Sequence, residues 1–398
     1  MMFNEEMYAY GAKGSAIREI NSIGSKLAEE FGKENVYNYS IGNPSLPPPQ
    51  SVYDAILSIL KEPDQVAVHG YSSNWGMKDV RAHLAEGINS KFGQTLTYEN
   101  IFLTCGSCAA LSVLFKGLAV PGDEFIVIAP FFPEYTVFIE GAGAKQVIAM
   151  AHEGDFMIDI DNLRNAITEK TKAVIIDSPN NPTGAVYTEE NIKALCSLLR
   201  EKEAELGHPI YLISDEPYRA VVYDDIEVPY PMSYYDDSII CYSFSKSLSL
   251  AGERLGYIAF SNKMENWLDI AKAVYGAARI NGHAGTPTLF QKVLLTCADD
   301  LTDISVYKTN RDILVENLSE MGYSFVYPDG AFYLMVKSPI ADATEFAYDA
   351  ANNYHLLLVP TDDFGYPGYV RLSYCVSTDM IKRSLPAFRK LAEAYGIC

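Results

Sequence analysis

Residues 172–184 read KAVIIDSPNNPTG, an apolar run that ends in Asp177 and turns at once through Ser178-Pro179-Asn180-Asn181-Pro182-Thr183-Gly184. Ala173, Val174, Ile175 and Ile176 are apolar on both parities, so a strand over 172–177 has no face to show to water and belongs inside a sheet covered on both sides. Turn formers fill nearly every position after Asp177. Such a turn is ordinarily just a rigid loop. In its sharper reading, the prolines lock Asn181 where its amide donates to an anionic ring oxygen and helps to orient a substrate.

Outward from this strand the pattern repeats. Short apolar runs at 101–104, 124–129, 145–149, 210–214, 238–243 and 255–260 complete a set of seven expected strands. Helices are expected between them at 107–118, 132–141, 162–167 and 189–205, the last entered through Thr188 as N-cap with acidic residues behind it. This alternation predicts an α/β unit, a mainly parallel seven-stranded sheet between helices. Beyond about residue 285 come longer amphipathic helices at 289–297, 304–321 and 379–394, with strands at 331–336, 356–359 and 369–373. These read as a second, smaller α+β domain. A helical stretch at 15–31 and the segment 39–45 lead to a stop at Pro47-Pro48-Pro49, and are expected to pack on that second domain. The division expected is therefore 46–284 for the large domain, and 1–45 with 285–398 for the small one.

The chemistry-bearing residues fall mostly where these strands end. Ser243-Phe244-Ser245-Lys246, with Arg254 eight residues on, sets one amine between two hydroxyls and a guanidinium. A lysine there forms a Schiff base with an aldehyde, while Ser243, Ser245 and Arg254 donate charge-assisted bonds to a phosphate dianion. Pyridoxal 5'-phosphate carries both groups. Alone, a serine-rich turn ending in lysine is a common surface loop, so the reading rests on its company. Gly106-Ser107-Cys108 follows one expected strand and opens a helix, which aims free backbone N–H groups and the helix dipole at a spot suited to phosphate. Asp215, followed by Glu216-Pro217-Tyr218, ends another strand. An aspartate there is often only a cap, but a carboxylate beside a pyridine nitrogen keeps that nitrogen protonated and the ring ready to accept electrons. Tyr218 is placed to donate to the phenolate oxygen of such a ring. Arg371 lies inside the apolar pattern Gly368-Tyr369-Val370-Arg371-Leu372-Ser373, where an unpaired charge is costly. It is either half of a buried ion pair or a bidentate fork for an α-carboxylate.

Taken in order, the turn NNPTG at 180–184, Asp215 with Tyr218, Ser-Phe-Ser-Lys at 243–246 with Arg254, and YVRLS at 369–373 form one pattern. In it the chain resembles the pyridoxal-phosphate-dependent aminotransferases of fold type I, classes I and II, over nearly its whole length. The resemblance implies that Lys246 carries the cofactor and moves the Cα proton, that Asp215 pairs with the pyridinium, and that Asn181 and Tyr218 hold the ring oxygen. It implies a phosphate cradle of Gly106, Ser107, Cys108, Ser243, Ser245 and Arg254. Phe132, in Pro130-Phe131-Phe132-Pro133-Glu134-Tyr135, falls where the family stacks an aromatic on the ring. Tyr71 resembles the tyrosine that reaches the phosphate in the partner subunit, which implies a homodimer with shared sites. Gly42-Asn43-Pro44 matches the segment that closes on the substrate carboxylate with Arg371.

The implied reaction is ping-pong transfer of an amino group between an L-amino acid and a 2-oxo acid. A C–S β-lyase of the same fold would use the same lysine and arginine. Cys108 stands where acid-selective members of one bacterial subgroup carry a lysine. Selection of an acidic donor by that route lacks its cation, and Arg279 is the alternative cation to weigh against an ordinary solvated helix end.

Composition narrows the rest. The 398 residues are 48% hydrophobic and 21% charged, which suits a globular protein. Lys and Arg number 31 against 51 Asp and Glu, and a net charge of -20 argues against nucleic acid. A regulator of similar fold would need a basic DNA-binding domain, and the chain opens instead on a short acidic stretch. Seven cysteines lie at 105, 108, 196, 241, 297, 375 and 398. Cys105 and Cys108 form a C-x-x-C without the second pair or nearby histidines that zinc requires, so no metal is expected. An odd count without a framework suits a reducing cytosol. The opening MMFNEEMYAYGAKG lacks a basic head and apolar core, and no run approaches membrane-spanning length. A cytoplasmic protein acting on small molecules is expected.

Overall fold

Ala173 and Ile175 join one hydrophobic core with Leu111, Leu114 and Val274, while Val174 and Ile176 join another with Leu195 and Leu199. The strand that carries them is therefore covered by helices Ser107–Leu118 and Trp267–Ile280 on one side and by Glu189–Leu206 on the other. The computed structural model describes residues 2–12, 14, 16–283 and 285–397. The expected helix start at Ser15 and the domain limits at Met1, Ala284 and Cys398 lie outside the described residues.

In chain order the strands are β1 (Tyr37–Asn38), β2 (Ile101–Thr104), β3 (Glu124–Ala129), β4 (Lys145–Met150), β5 (Thr171–Asp177), β6 (Tyr211–Asp215), β7 (Ser238–Ser243), β8 (Gly256–Phe260), β9 (Tyr333–Lys337), β10 (Leu356–Leu357), β11 (Val359–Pro360) and β12 (Tyr369–Ser373). Seven of them form one sheet in the order β2-β8-β7-β6-β5-β3-β4. Every neighbouring pair from β7 through β4 is parallel, and β8 alone runs against both its neighbours. Each buried Leu, Ile or Val in the two covering slabs contributes about 1.5–3 kcal/mol, so burial on both faces holds this sheet more than strand propensity does. Because β5, β6 and β7 run the same way, their last residues Asp177, Asp215 and Ser243 share one edge. Open α/β sheets gather their ligands at that edge.

The second unit is smaller. Its antiparallel sheet, β11-β12-β9, sets Arg371 opposite Val359 on one side and Met335 on the other. β1 pairs in parallel with β10, and Ile20 of helix Ala16–Phe31 shares a core with Phe346, Leu357 and Leu391. The amino-terminal segment thus packs on the carboxy-terminal part of the chain.

Some expectations needed correcting. The strand expected at 356–359 breaks at Leu358, with β10 pairing to β1 and β11 to β12. The strand expected from 331 begins at Tyr333, because Ala331 has a left-handed φ of 53°. The helix expected from 132 begins at Glu134 behind Pro133, whose fixed φ suits a helix entry. Helices Gln50–Ile59, Lys78–Phe92, Trp267–Ile280 and Ala343–Tyr354 were not anticipated. The proline run read as a stop also launches a helix, with Pro49 at the N-cap of Gln50–Ile59. Thr188 does cap Glu189–Leu206, accepting from the Asn191 N–H. Among the described residues no helix is long and apolar enough to cross a membrane.

Candidate active site

At the end of β7 the Ser243 hydroxyl accepts from the Ser245 N–H at 3.2 Å and caps the single helical turn Phe244–Ser247. That turn carries Lys246 over the sheet edge. Lys246 Nζ donates to the Gly42 carbonyl at 2.8 Å and stands 5.2 Å from the Phe332 ring centre and 5.9 Å from that of Tyr218. Burial lowers its pKa to about 8, and the positive charges of Arg254 and Arg371 push the same way. A lysine so tuned is substantially neutral, hence nucleophilic, in mildly alkaline water.

Asp215 is buried at the end of β6. Its Oδ2 accepts from the Tyr135 hydroxyl at 2.8 Å, and its Oδ1 has no hydrogen-bond partner among the described residues. Burial pushes the carboxyl up to about 7, opposed by the Tyr135 bond and by the nearby Ser107 hydroxyl, with Glu216 adding to the rise. A buried carboxylate with one oxygen held and the other unanswered is shaped for an incoming cationic donor.

The anion cradle is built around a glycine. Gly106 has φ 84°, and a Cβ there would lie 2.7 Å from Arg254 Nη2, so only glycine lets the guanidinium close on the start of helix Ser107–Leu118. Arg254 itself is held at φ 55°, with Nη1 on the Ala251 carbonyl at 2.9 Å and Nη2 on that of Cys105 at 3.1 Å. A bulky residue in that backbone region costs of order 1–3 kcal/mol and marks a functional constraint. Ser243 Oγ and Ser245 Oγ lie 2.8 Å apart beside it. Cys108 keeps its proton, since burial raises its pKa to about 11.

Arg371 is 2% exposed. Its Nη1 donates to Asn181 Oδ1 at 3.1 Å and its Nη2 to the Ser40 carbonyl at 2.7 Å, while Nε has no partner among the described residues. The rings of Tyr333 and Phe364 lie 4.7 and 5.1 Å from the guanidinium. No carboxylate among the described residues pairs with it, so the buried-ion-pair reading fails. Its bond to Asn181 Oδ1 also leaves the Asn181 NH₂ free to donate.

These groups meet in a cavity of about 360 Å³. Gly42, Ser107, Cys108, Phe132, Asn181, Asp215, Tyr218, Ser243, Ser245, Lys246, Arg254 and Arg371 all line it. Gly106 is not among the lining residues and meets the cradle through Arg254. Tyr71 is fully exposed outside the cavity, and Arg279 is exposed near the end of helix Trp267–Ile280. Three contributors escaped the sequence reading. Tyr333 lines the cavity and bonds the Tyr218 hydroxyl at 2.7 Å; Asp177 also lines it; Tyr135 steers Asp215. A side chain at Gly42 would collide with the Tyr333 hydroxyl, which explains the glycine.

The donor set fits a phosphorylated pyridine aldehyde: an amine able to lose its proton, a half-used carboxylate, and a glycine cradle closed by arginine. The family model described as aminotransferase class I and II matches residues 34–388. An aminotransferase of known structure from Eubacterium rectale is 47% identical, with a TM-score of 0.97 over 99% of both chains. The aspartate/prephenate aminotransferase of Thermus thermophilus is 31% identical over 88% of this chain and 89% of its own. The aspartate aminotransferase of Thermotoga maritima is 30% identical over 88% of this chain and 90% of its own. The chain belongs to the class I and II aminotransferases, the family whose members move an amino group between an amino acid and a 2-oxo acid.

Proposed function

We propose that this aminotransferase works with pyridoxal 5'-phosphate, as a cytoplasmic homodimer, through the residues gathered in the cavity. One observation carries the reading: a buried arginine that no carboxylate among the described residues pairs with shares its cavity with an amine whose pKa is lowered to about 8 and with a carboxylate that offers a free oxygen. Lys246 would hold the cofactor covalently and Asp215 Oδ1 would meet its ring nitrogen. Tyr218 and the Asn181 NH₂ would hold the ring oxygen, and Phe132 would cover a ring face. Gly106, Ser107, Cys108, Ser243, Ser245 and Arg254 would hold its phosphate. When bound, this cofactor supplies the electron sink for the pair left behind when a substrate Cα loses its proton. Arg371 turns its unpartnered Nε to the substrate α-carboxylate. Lys246, in its neutral form, would take the Cα proton.

The domain limits stay at 46–284 for the cofactor-binding part and at 1–45 with 285–398 for the part that carries Arg371. An apolar run supports the dimer: Tyr53, Leu57, Leu60 and Val66 are exposed in the same stretch of chain as Tyr71. Tyr71 itself would complete the partner's phosphate site. The cysteines at 105, 108, 196, 241, 297 and 375 are free thiols, which suits a reducing compartment.

The relatives' names favour transfer over C–S lysis. Incubation with an amino donor and 2-oxoglutarate is expected to yield glutamate; ammonia and pyruvate from cystathionine, with no glutamate, would overturn the assignment. The Lys246 pKa adds a pH dependence. Capture of pyridoxal phosphate by the apoprotein, followed by stopped-flow absorbance, should quicken as pH rises toward about 8 and then level, because only the neutral amine attacks. A profile that slows with rising pH over that range contradicts the assigned nucleophile.

A further inference from the structure

Asp177 is a buried carboxylate in the cavity for which the reaction above has no use. It ends β5 as Asp215 ends β6, and the two are direct partners in the parallel register. They continue the face that carries Ile175 and Ile213, with strand axes about 4.8 Å apart. Asp177 Oδ2 accepts from the Asn181 N–H at 2.9 Å and closes the turn, while Oδ1 has no partner and the residue is 4% exposed. Two adjacent carboxylates thus each commit one oxygen to the protein and leave the other unanswered in one cavity.

Such a pair cannot ionise fully when buried unless a cation joins it. Burial and Asp215 together raise Asp177 well above the ordinary carboxylate range. The titratable groups facing it are Asp215 and Glu216 at the end of β6, Tyr135 from helix Glu134–Gly141, Tyr187, Tyr218 and Tyr333. Glu216 is already paired with Arg219; Lys246, Arg254 and Arg371 line the same cavity, but among the described residues none of them is ion-paired with either aspartate.

Resting on the cofactor reading above, we propose that Asp177 is a positioning residue that acts with Asp215 as a paired acid, holding the proton on a cationic ring nitrogen to higher pH than Asp215 would alone. When the ring cation arrives, the second carboxylate ionises, and its field raises the proton affinity of the nitrogen.

Asp177→Asn makes a clean test, because the amide retains an Oδ1 to accept the Asn181 N–H and loses only the charge. The probe is pyridoxamine 5'-phosphate with an isotope-labelled ring nitrogen, titrated by nitrogen NMR when bound, with its Kd for the apoprotein measured across pH. The variant is expected to show a ring-nitrogen pKa about 1 unit lower and a Kd about tenfold weaker on the alkaline side. Equal pKa and Kd in the two proteins would overturn the proposal. Should the variant not fold, the wild type decides: a ring nitrogen that loses its proton at or below neutral pH also overturns it. Wild-type protein that binds neither pyridoxamine phosphate nor pyridoxal phosphate would instead sink the cofactor reading, and this inference with it.

Discussion

Lys246→Ala is expected to lower turnover by about 10⁴-fold or more while leaving the fold intact. Two separate jobs would fall to this amine, capture of the cofactor carbonyl and transfer of the Cα proton, and among the described residues no other lysine lines the cavity. The fold should survive, because the amine makes one hydrogen bond, to the Gly42 carbonyl, and is held at a desolvation cost that alanine removes. Compared without cofactor, the variant should therefore melt level with the wild type or slightly above it. Borohydride treatment followed by peptide mass analysis should find the cofactor adduct on the wild-type peptide and none on the variant. Wild-type turnover by Lys246→Ala would place the base elsewhere.

The same variant tests the shared site. A hybrid dimer of a Lys246→Ala chain and a Tyr71→Phe chain holds one site in which both residues are intact. Mixed and refolded chains should then exceed the activity of either parent. No gain on mixing would mean that Tyr71 does not serve the neighbouring subunit.

Sequence legibility followed the physics of each element. β5 could be read because apolar residues on both parities mean burial on both faces, whatever the rest of the chain does. Lys246, Asp215 and Arg254 could be read because each carries a reactive group beside a strand end. Helix Lys78–Phe92 had a usable signal that went unread, since Val80, Leu84 and Ile88 recur at helical spacing and are buried together.

Asp177 and Tyr333 lacked any such signal. Asp177 is local punctuation until β6 is laid beside it in register, a fact 38 residues away in sequence and set by sheet pairing. Tyr333 sits in an apolar strand and reads as core until Tyr218 and Arg371 are brought to its hydroxyl and its ring. Arg371 was undecided for the same reason: an arginine in a strand shows its charge but not whether an anion waits beside it. The absence of that anion among the described residues turned a structural candidate into a functional one.

Arg371→Leu is expected to separate function from stability. The guanidinium is buried with no countercharge among the described residues, so the fold bears its desolvation, which in proteins amounts to several kcal/mol per ion. Against this, leucine forfeits two hydrogen bonds, to Asn181 Oδ1 and the Ser40 carbonyl, each with a net value of about 1.5–3 kcal/mol because the donor is charged. It also forfeits the contacts with the Tyr333 and Phe364 rings, about 0.5–2 kcal/mol each. These opposing contributions are of similar size, so the melting temperature is expected to stay close to that of the wild type by calorimetry. Function should change far more. A substrate carboxylate left without its buried partner loses about 2–5 kcal/mol, so kcat/KM for an amino acid should fall by roughly 10²–10³-fold. The deciding comparison is with an amine that lacks the carboxylate, followed through the half-reaction by absorbance. Such an amine has nothing to offer the guanidinium, and the two proteins should convert it at similar rates. A loss equally large for amine and amino acid would make Arg371 a support for Asn181 rather than the carboxylate's fork. An unchanged kcat/KM for the amino acid would remove Arg371 from the site altogether.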